Sequence, residues 1–196
     1  MSAVYNNFKD LPKVPYKLIT YLAEHNDRLF KLLKYPTEDA LDMPNLTFDE
    51  KLELLYVDEG TEVDKNIFLK PLIGDEMTDA NSQIRIYKHA ISPINAMSAV
   101  VNYRFDFITG NKISLVYDEG IPCPRLDLME AEILDTFNGV DIFGTGEFQF
   151  SRDLSTSDKE LFAMSNSKGF FGTYLIMSVR WIDTTTDTCK WWIKKK

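Results

Sequence analysis

The sequence predicts an α+β fold: a helical N-terminal part followed by a mainly antiparallel sheet packed with one long amphipathic helix. Three observations carry this. Apolar residues in the first sixty positions recur at helical spacing, the period changes to two after Lys65 and most clearly from Ala99, and one helical stripe between Arg125 and Phe137 interrupts the alternation. We place a helical N-terminal extension at residues 1–60 and a sheet-plus-helix body at 61–196, joined as one compact unit. With 196 residues, 44% of them hydrophobic, the chain is long enough to bury a substantial core.

The first helix is expected after Pro12 and Pro15, where Tyr16, Leu18, Ile19 and Leu22 form an apolar stripe. A second, carrying Leu29, Phe30, Leu32 and Leu33, should stop near Tyr35-Pro36, because the residue before proline avoids the α region. Thr47 and Glu50 stand as T-x-x-E before Leu52, Leu54 and Leu55. Their hydroxyl and carboxylate can satisfy the first orphan amides of a third helix. The acidic stretch Asp58–Lys65 reads as a linker.

Strand signals come next. Ile67–Ile73 is a short apolar run. Gln83–His89 places Ile84, Ile86 and Lys88 on one face, with Arg85, Tyr87 and His89 on the other. Ala99, Val101, Tyr103, Phe105 and Phe107 alternate with Val100, Asn102, Arg104 and Asp106, as one buried and one wet face require. Thr109-Gly110-Asn111 supplies turn residues, and Ile113, Leu115 and Tyr117 resume the alternation, so Val101–Tyr117 is expected to be an antiparallel hairpin.

The long helix should start with Pro124 in its first turn, gain from Asp127 near its positive end, and close at Asn138-Gly139. Leu126, Met129, Ile133, Leu134 and Phe137 form its apolar stripe, leaving Glu130, Glu132 and Asp135 as an acidic outer surface. Phe148 and Phe150 mark another strand, and Leu154–Asn166 reads as an exposed polar loop. In the closing strand, Phe171, Thr173, Leu175, Met177, Val179 and Trp181 share one face. Phe170, Tyr174 and Ile176 make its first half apolar on both sides, so that half is expected to be covered twice.

The formal charge of −8 gives an average field that repels nucleic acid and anionic membranes. The C-terminal Lys190, Lys194, Lys195 and Lys196 around Trp191 and Trp192 read as a solvated tail, with phosphate and base contact as the alternative. Cys123 and Cys189 have no metal or disulfide-framework spacing and are expected as free thiols. No apolar leader and no membrane-length run is visible, so a soluble cytoplasmic product is expected.

Catalytic patterns are missing from the sequence. His25 and His89 are the two histidines, and neither accompanies a nucleophile motif; His25 falls at a helix end, where an imidazole usually meets terminal carbonyls. Asp58, Glu59, Glu62 and Asp64 lack the glycine and final glutamate of a calcium loop. Gly144-Thr145-Gly146 is followed by no Lys-Ser/Thr and reads as a turn. No metal, cofactor or catalytic residue is therefore assigned, and the chain is expected to act by binding other proteins.

From Ala99 onward, the order of features resembles the neck and tail-completion proteins of tailed bacteriophages, particularly the tail terminators. The resemblance is carried by Val101–Tyr117, the helix Arg125–Phe137, the strand Gly146–Arg152 and the closing strand Phe171–Trp181. It implies a non-enzymatic virion protein of the head-to-tail junction, made in the host cytoplasm. It also implies a ring, commonly sixfold, between tail-tube and connector proteins, through which DNA passes without specific binding. The long helical stretch Tyr16–Tyr56 departs from smaller members of that family. Within such a ring, Phe143, Phe170, Phe171, Trp191 and Trp192 are candidates for subunit contact, and Glu130, Glu132 and Asp135 for an acidic channel surface. Two other readings stand beside it: an acidic monomeric binding module of inhibitor or immunity type, and a metal-dependent hydrolase with dispersed carboxylates.

Overall fold

The structure is a computed structural model and describes residues 8–57, 65–71, 81–95, 97–143, 146–150, 162–163 and 169–182. A 3₁₀ turn, Phe8–Lys13, leads into α1, Val14–His25, with Pro15 in the first turn, where a missing N–H breaks no helical bond. Val14, Pro15, Leu18, Ile19, Leu22 and Ala23 form the buried stripe. Tyr16 is 45% exposed and does not belong to it. At roughly 100° per residue it lies on the order of 110° from the middle of that stripe.

Helix α2, Asp27–Lys34, begins at Asn26, whose side-chain oxygen accepts from the Leu29 amide at 2.8 Å. Leu29, Phe30, Leu32 and Leu33 are all buried, and the helix stops before Pro36 as the sequence requires. Helix α3, Phe48–Glu53, opens on the expected capping box: Glu50 N donates to Thr47 Oγ1 and Thr47 N to the Glu50 carboxylate. From α3 the buried Lys51 reaches back, donating from Nζ to the Ala23 carbonyl at 2.8 Å and pairing with Asp27. A cation thus closes the negative end of α1.

In the main sheet, strand β1, Ile67–Phe68, lies parallel to β2, Ser82–Asn95, which is antiparallel to β3, Ser98–Gly110. The last strand, β8, Phe170–Ile182, pairs with the whole length of β3, from Ser98↔Ile182 to Gly110↔Phe170. Two short strands, β6, Phe148–Gln149, and β7, Phe162–Ala163, pair with separate stretches of its other edge. The order across the sheet is therefore β1-β2-β3-β8-β6. The segment expected as an exposed loop, Leu154–Asn166, contributes a strand in its described part.

Ala99, Val101, Tyr103, Phe105 and Phe107 point into the core at no more than 2% exposure, and Leu175, Met177, Val179 and Trp181 join them across the register. The other face departs from a simple wet surface, because Asp106 is 3% exposed, and Phe170 and Ile176 are buried there as the doubly apolar half of β8 requires. Helix α4, Arg125–Phe137, packs its Leu126, Met129, Ile133 and Phe137 against the sheet, with Pro124 immediately before the helix instead of inside its first turn. Leu134 is partly buried at the margin of the same cluster. Gly139, at φ +77, turns the chain into β6 through Gly139 N→Phe148 O at 2.7 Å. One hydrophobic cluster includes residues from α1, α2, α4 and the sheet.

The expected hairpin Val101–Tyr117 does not form. Both edges of β3 are occupied by β2 and β8, and Gly110 is extended instead of turning. A 3₁₀ turn, Asn111–Ile113, carries the chain off the sheet, held by Asn111 N→Gly169 O at 2.7 Å. The 13 residues of β8 offer β3 a partner with matching alternation over its full length, which a four-residue strand cannot. Beyond the turn the chain makes a separate two-stranded ribbon: β4, Leu115–Asp118, paired with β5, Ile121–Pro124.

Candidate functional site

That ribbon inverts the sequence expectation. Val116 is fully buried, while Leu115 and Tyr117, expected to continue a core face, are 50% and 46% exposed. Directly opposed residues of an antiparallel pair share a face, so Leu115↔Pro124 and Tyr117↔Pro122 place four apolar side chains together on one surface. Both prolines are exposed, and Ile121 at the ribbon tip is 63% exposed. The tip is a two-residue turn with positive φ at Glu119 (+51) and Gly120 (+81), the sign pattern of a type I′ hairpin. A glutamate in the left-handed region carries a modest conformational cost there.

The ribbon is held from behind. Tyr117 N donates to the Glu38 carbonyl at 2.7 Å, and Arg125 N to the Ser114 carbonyl at 2.8 Å. Arg125 itself is fully buried, and its guanidinium donates to four carbonyls: Ile113 (2.7 Å), Leu32 (2.7 Å), Tyr35 (3.0 Å) and Thr37 (2.6 Å). Leu32 and Tyr35 belong to the end of α2, so a cation fixes the entrance of the ribbon to the negative end of a helix. Strand addition at the β5 edge is disfavoured, because Pro122 and Pro124 have no N–H to offer, and the Glu38 segment occupies the β4 edge. The ribbon therefore presents its face. Exposed carboxylates lie close in sequence or through that backbone bond: Glu38, Glu119 and Asp127.

A cleft of about 360 Å³ lies between α2 and α4, lined by His25, Asn26, Arg28, Glu132, Asp135 and Thr136. Asn26, Arg28, Glu132 and Thr136 bind one another there. Arg28 donates to Glu132 at 2.6 Å and to Asp118 at 2.8 Å, and these two carboxylates hold its cation above the ordinary guanidinium value. Asn26 Nδ2 lies within hydrogen-bond distance of the Glu132 carboxylate and Thr136 Oγ1. The His25 ring stacks on Tyr21 with 4.1 Å between centroids, its Nδ1 2.9 Å from the Tyr21 carbonyl, the helix-end role its position suggests. Among the described residues no group of three or more His, Cys, Asp and Glu side chains is placed to hold a metal ion.

Of the expected channel carboxylates, Glu132 is spent on Arg28 and Asn26, Glu130 is partly buried and Asp135 is exposed. Of the expected subunit contacts, Phe143 is buried, with Trp181 and Phe148 at centroid distances of 5.7 and 5.9 Å, and Phe170 is buried too. Phe171 is partly buried against the core. These three rings serve the fold, because each belongs to or follows an element that packs on the sheet. Trp191 and Trp192 lie outside the described residues. The ribbon face went unread in the sequence, although Glu119-Gly120 between Leu115–Asp118 and Ile121–Pro124 carried a hairpin signal.

The second face of the sheet holds a polar cluster. Asp106 accepts from Tyr87 Oη at 3.0 Å and pairs with Arg104, whose guanidinium lies 3.9 Å from the Tyr174 ring centroid. Arg85, 7% exposed, donates to the Pro71 carbonyl at 3.0 Å. Burial, then the Asp106 charge, pushes the Tyr87 phenol up to about 12. A raised folded value favours the neutral phenol. Its stabilising effect is full below pH 10 and is lost as pH rises to about 12. Urea midpoints of the wild type should therefore fall more steeply over that interval than those of Tyr87→Phe. Arg125, brought down to about 10 by burial, acts with the opposite sign but is common to both proteins. Parallel curves would show that Tyr87 is not the source.

A protein-family model, YomW, matches residues 26–179, well over half of the chain and including both the ribbon and most of the sheet. No curated protein and no solved structure matches it.

Proposed function

Because the chain belongs to the YomW family, a family of phage gene products, we propose that it is a non-enzymatic structural protein of the virion. Its place is the head-to-tail junction, where it forms a ring that completes or terminates the tail and joins it to the connector. The observation that carries this reading is the ribbon face of Leu115, Tyr117, Pro122 and Pro124. An apolar surface held rigidly by a buried arginine suits a stable protein contact, since the groups that bind need little further ordering. Of the three carboxylates expected to line a channel, Asp135 is the exposed one, while Glu132 pairs with Arg28, and in the ring an exposed carboxylate would repel DNA phosphate.

The carboxylates near the ribbon also support a second reading, an acidic monomeric module that covers a basic partner surface. Immunogold labelling of phage particles assembled with an epitope-tagged copy separates the two. Label at the junction between head and tail supports the structural reading. Particles free of label, with the protein left in the soluble fraction, would contradict it.

A further inference from the structure

The ribbon face lies at one end of the long strands, and a second exposed apolar surface lies at the other. Strand β3 has 13 residues and spans about 40 Å at roughly 3.3 Å per residue. The ribbon comes after its C-terminal end, beyond Gly110. Its N-terminal end, at Ser98, pairs with the last residues of β2, where Ile91 is 42% and Ile94 50% exposed. Here Lys88, Ile91 and Pro93 share the face of their partners Tyr103, Val101 and Ala99, yet all three are exposed.

Strand addition is disfavoured at this edge too. Pro93 removes a donor, and the pairing is irregular between Lys88 and Ala90 and again between Pro93 and Asn95. Both ends therefore offer side-chain faces instead of backbone edges. Their charges are opposite. Glu38, Glu119 and Asp127 stand exposed by the ribbon, whereas the exposed charged side chain of β2 is Lys88, on a strand that contains no carboxylate.

We propose that the ribbon face of one subunit receives the Lys88–Pro93 face of a second copy of this chain. The contact is head-to-tail. Two different surfaces at opposite ends of one strand make a heterologous contact, which closes into a ring when its rotation permits. This rests on the ring reading and names the surfaces that build it.

The test uses two full-length variants, each mutated at exposed positions and each checked for native far-UV circular dichroism. One carries Leu115→Asp and Tyr117→Asp; the other carries Lys88→Glu and Ile91→Asp. Each alone should run as a monomer by light scattering after size exclusion. Mixed in equal amounts they should give a dimer and nothing larger, because one intact surface from each remains. As a milder version, Lys88→Glu or Glu119→Lys alone should weaken assembly about tenfold or more, and the pair together should restore it. If the wild type assembles but the ribbon variant still forms the same species, or the mixture stays monomeric, the head-to-tail assignment is overturned while the ring reading stands. If the wild type is monomeric at every concentration, both fail.

Discussion

Replacing Arg125 with methionine will destabilise the fold by about 2 to 4 kcal/mol, because the buried carbonyls of Ile113 and Leu32 lose their donor at roughly 1 to 2 kcal/mol each, while those of Tyr35 and Thr37 are partly buried and lose less. The guanidinium is fully buried and its four acceptors are backbone groups. Burial lowers its pKa to about 10, so it stays charged at neutral pH, and the carbonyls at the end of α2 offset the cost of desolvating it. Methionine fills similar space but donates nothing. Lysine would keep the charge without the planar fork that reaches Ile113 on one side and Leu32, Tyr35 and Thr37 on the other. Urea unfolding measures the effect, and Arg125→Lys should recover less than half of it. Loss of under about 1 kcal/mol would mean that water replaces the guanidinium easily.

The second large effect is Phe137→Ala, expected to cost about 3 to 5 kcal/mol as a large-to-small change in a closed core. Its ring is fully buried and lies 5.8 Å from both Phe105 and Phe148 and 6.0 Å from Tyr21, centroid to centroid. It thereby joins α4 to β3, β6 and α1 at once. If the N-terminal helices and the sheet unfold together, a single cooperative transition shifts to lower urea by fluorescence and circular dichroism alike. Separate transitions for the two probes would show that the helical part holds its structure without this ring.

The sequence exposed the parts of the fold that depend on local chemistry. The Thr47/Glu50 capping box, the stop before Pro36, the Leu126–Phe137 stripe and the alternation of Ala99–Phe107 all come from patterns within one element. It hid the parts that depend on choice of partner. Leu115 and Tyr117 continue the period of β3, and nothing local says that β8, some sixty residues later, wins that edge. Asp106 reads as wet because its partner Tyr87 reaches it only through strand pairing, while Arg104, two positions back, lies on its own strand. The same reason explains the site. Phe143 and Phe170 drew attention as apolar excess but pack inside, whereas the ribbon face becomes apparent only once β4 is known to pair with β5.

The most direct test of the ring is the mass of the purified full-length protein over a concentration series, by light scattering after size exclusion, with negative-stain images of the largest species. The expected result is a closed ring of discrete mass that persists on dilution and is lost with Leu115→Asp and Tyr117→Asp. A monomer at every concentration, unchanged by those substitutions, would contradict the ring and leave the acidic binding module as the reading to pursue.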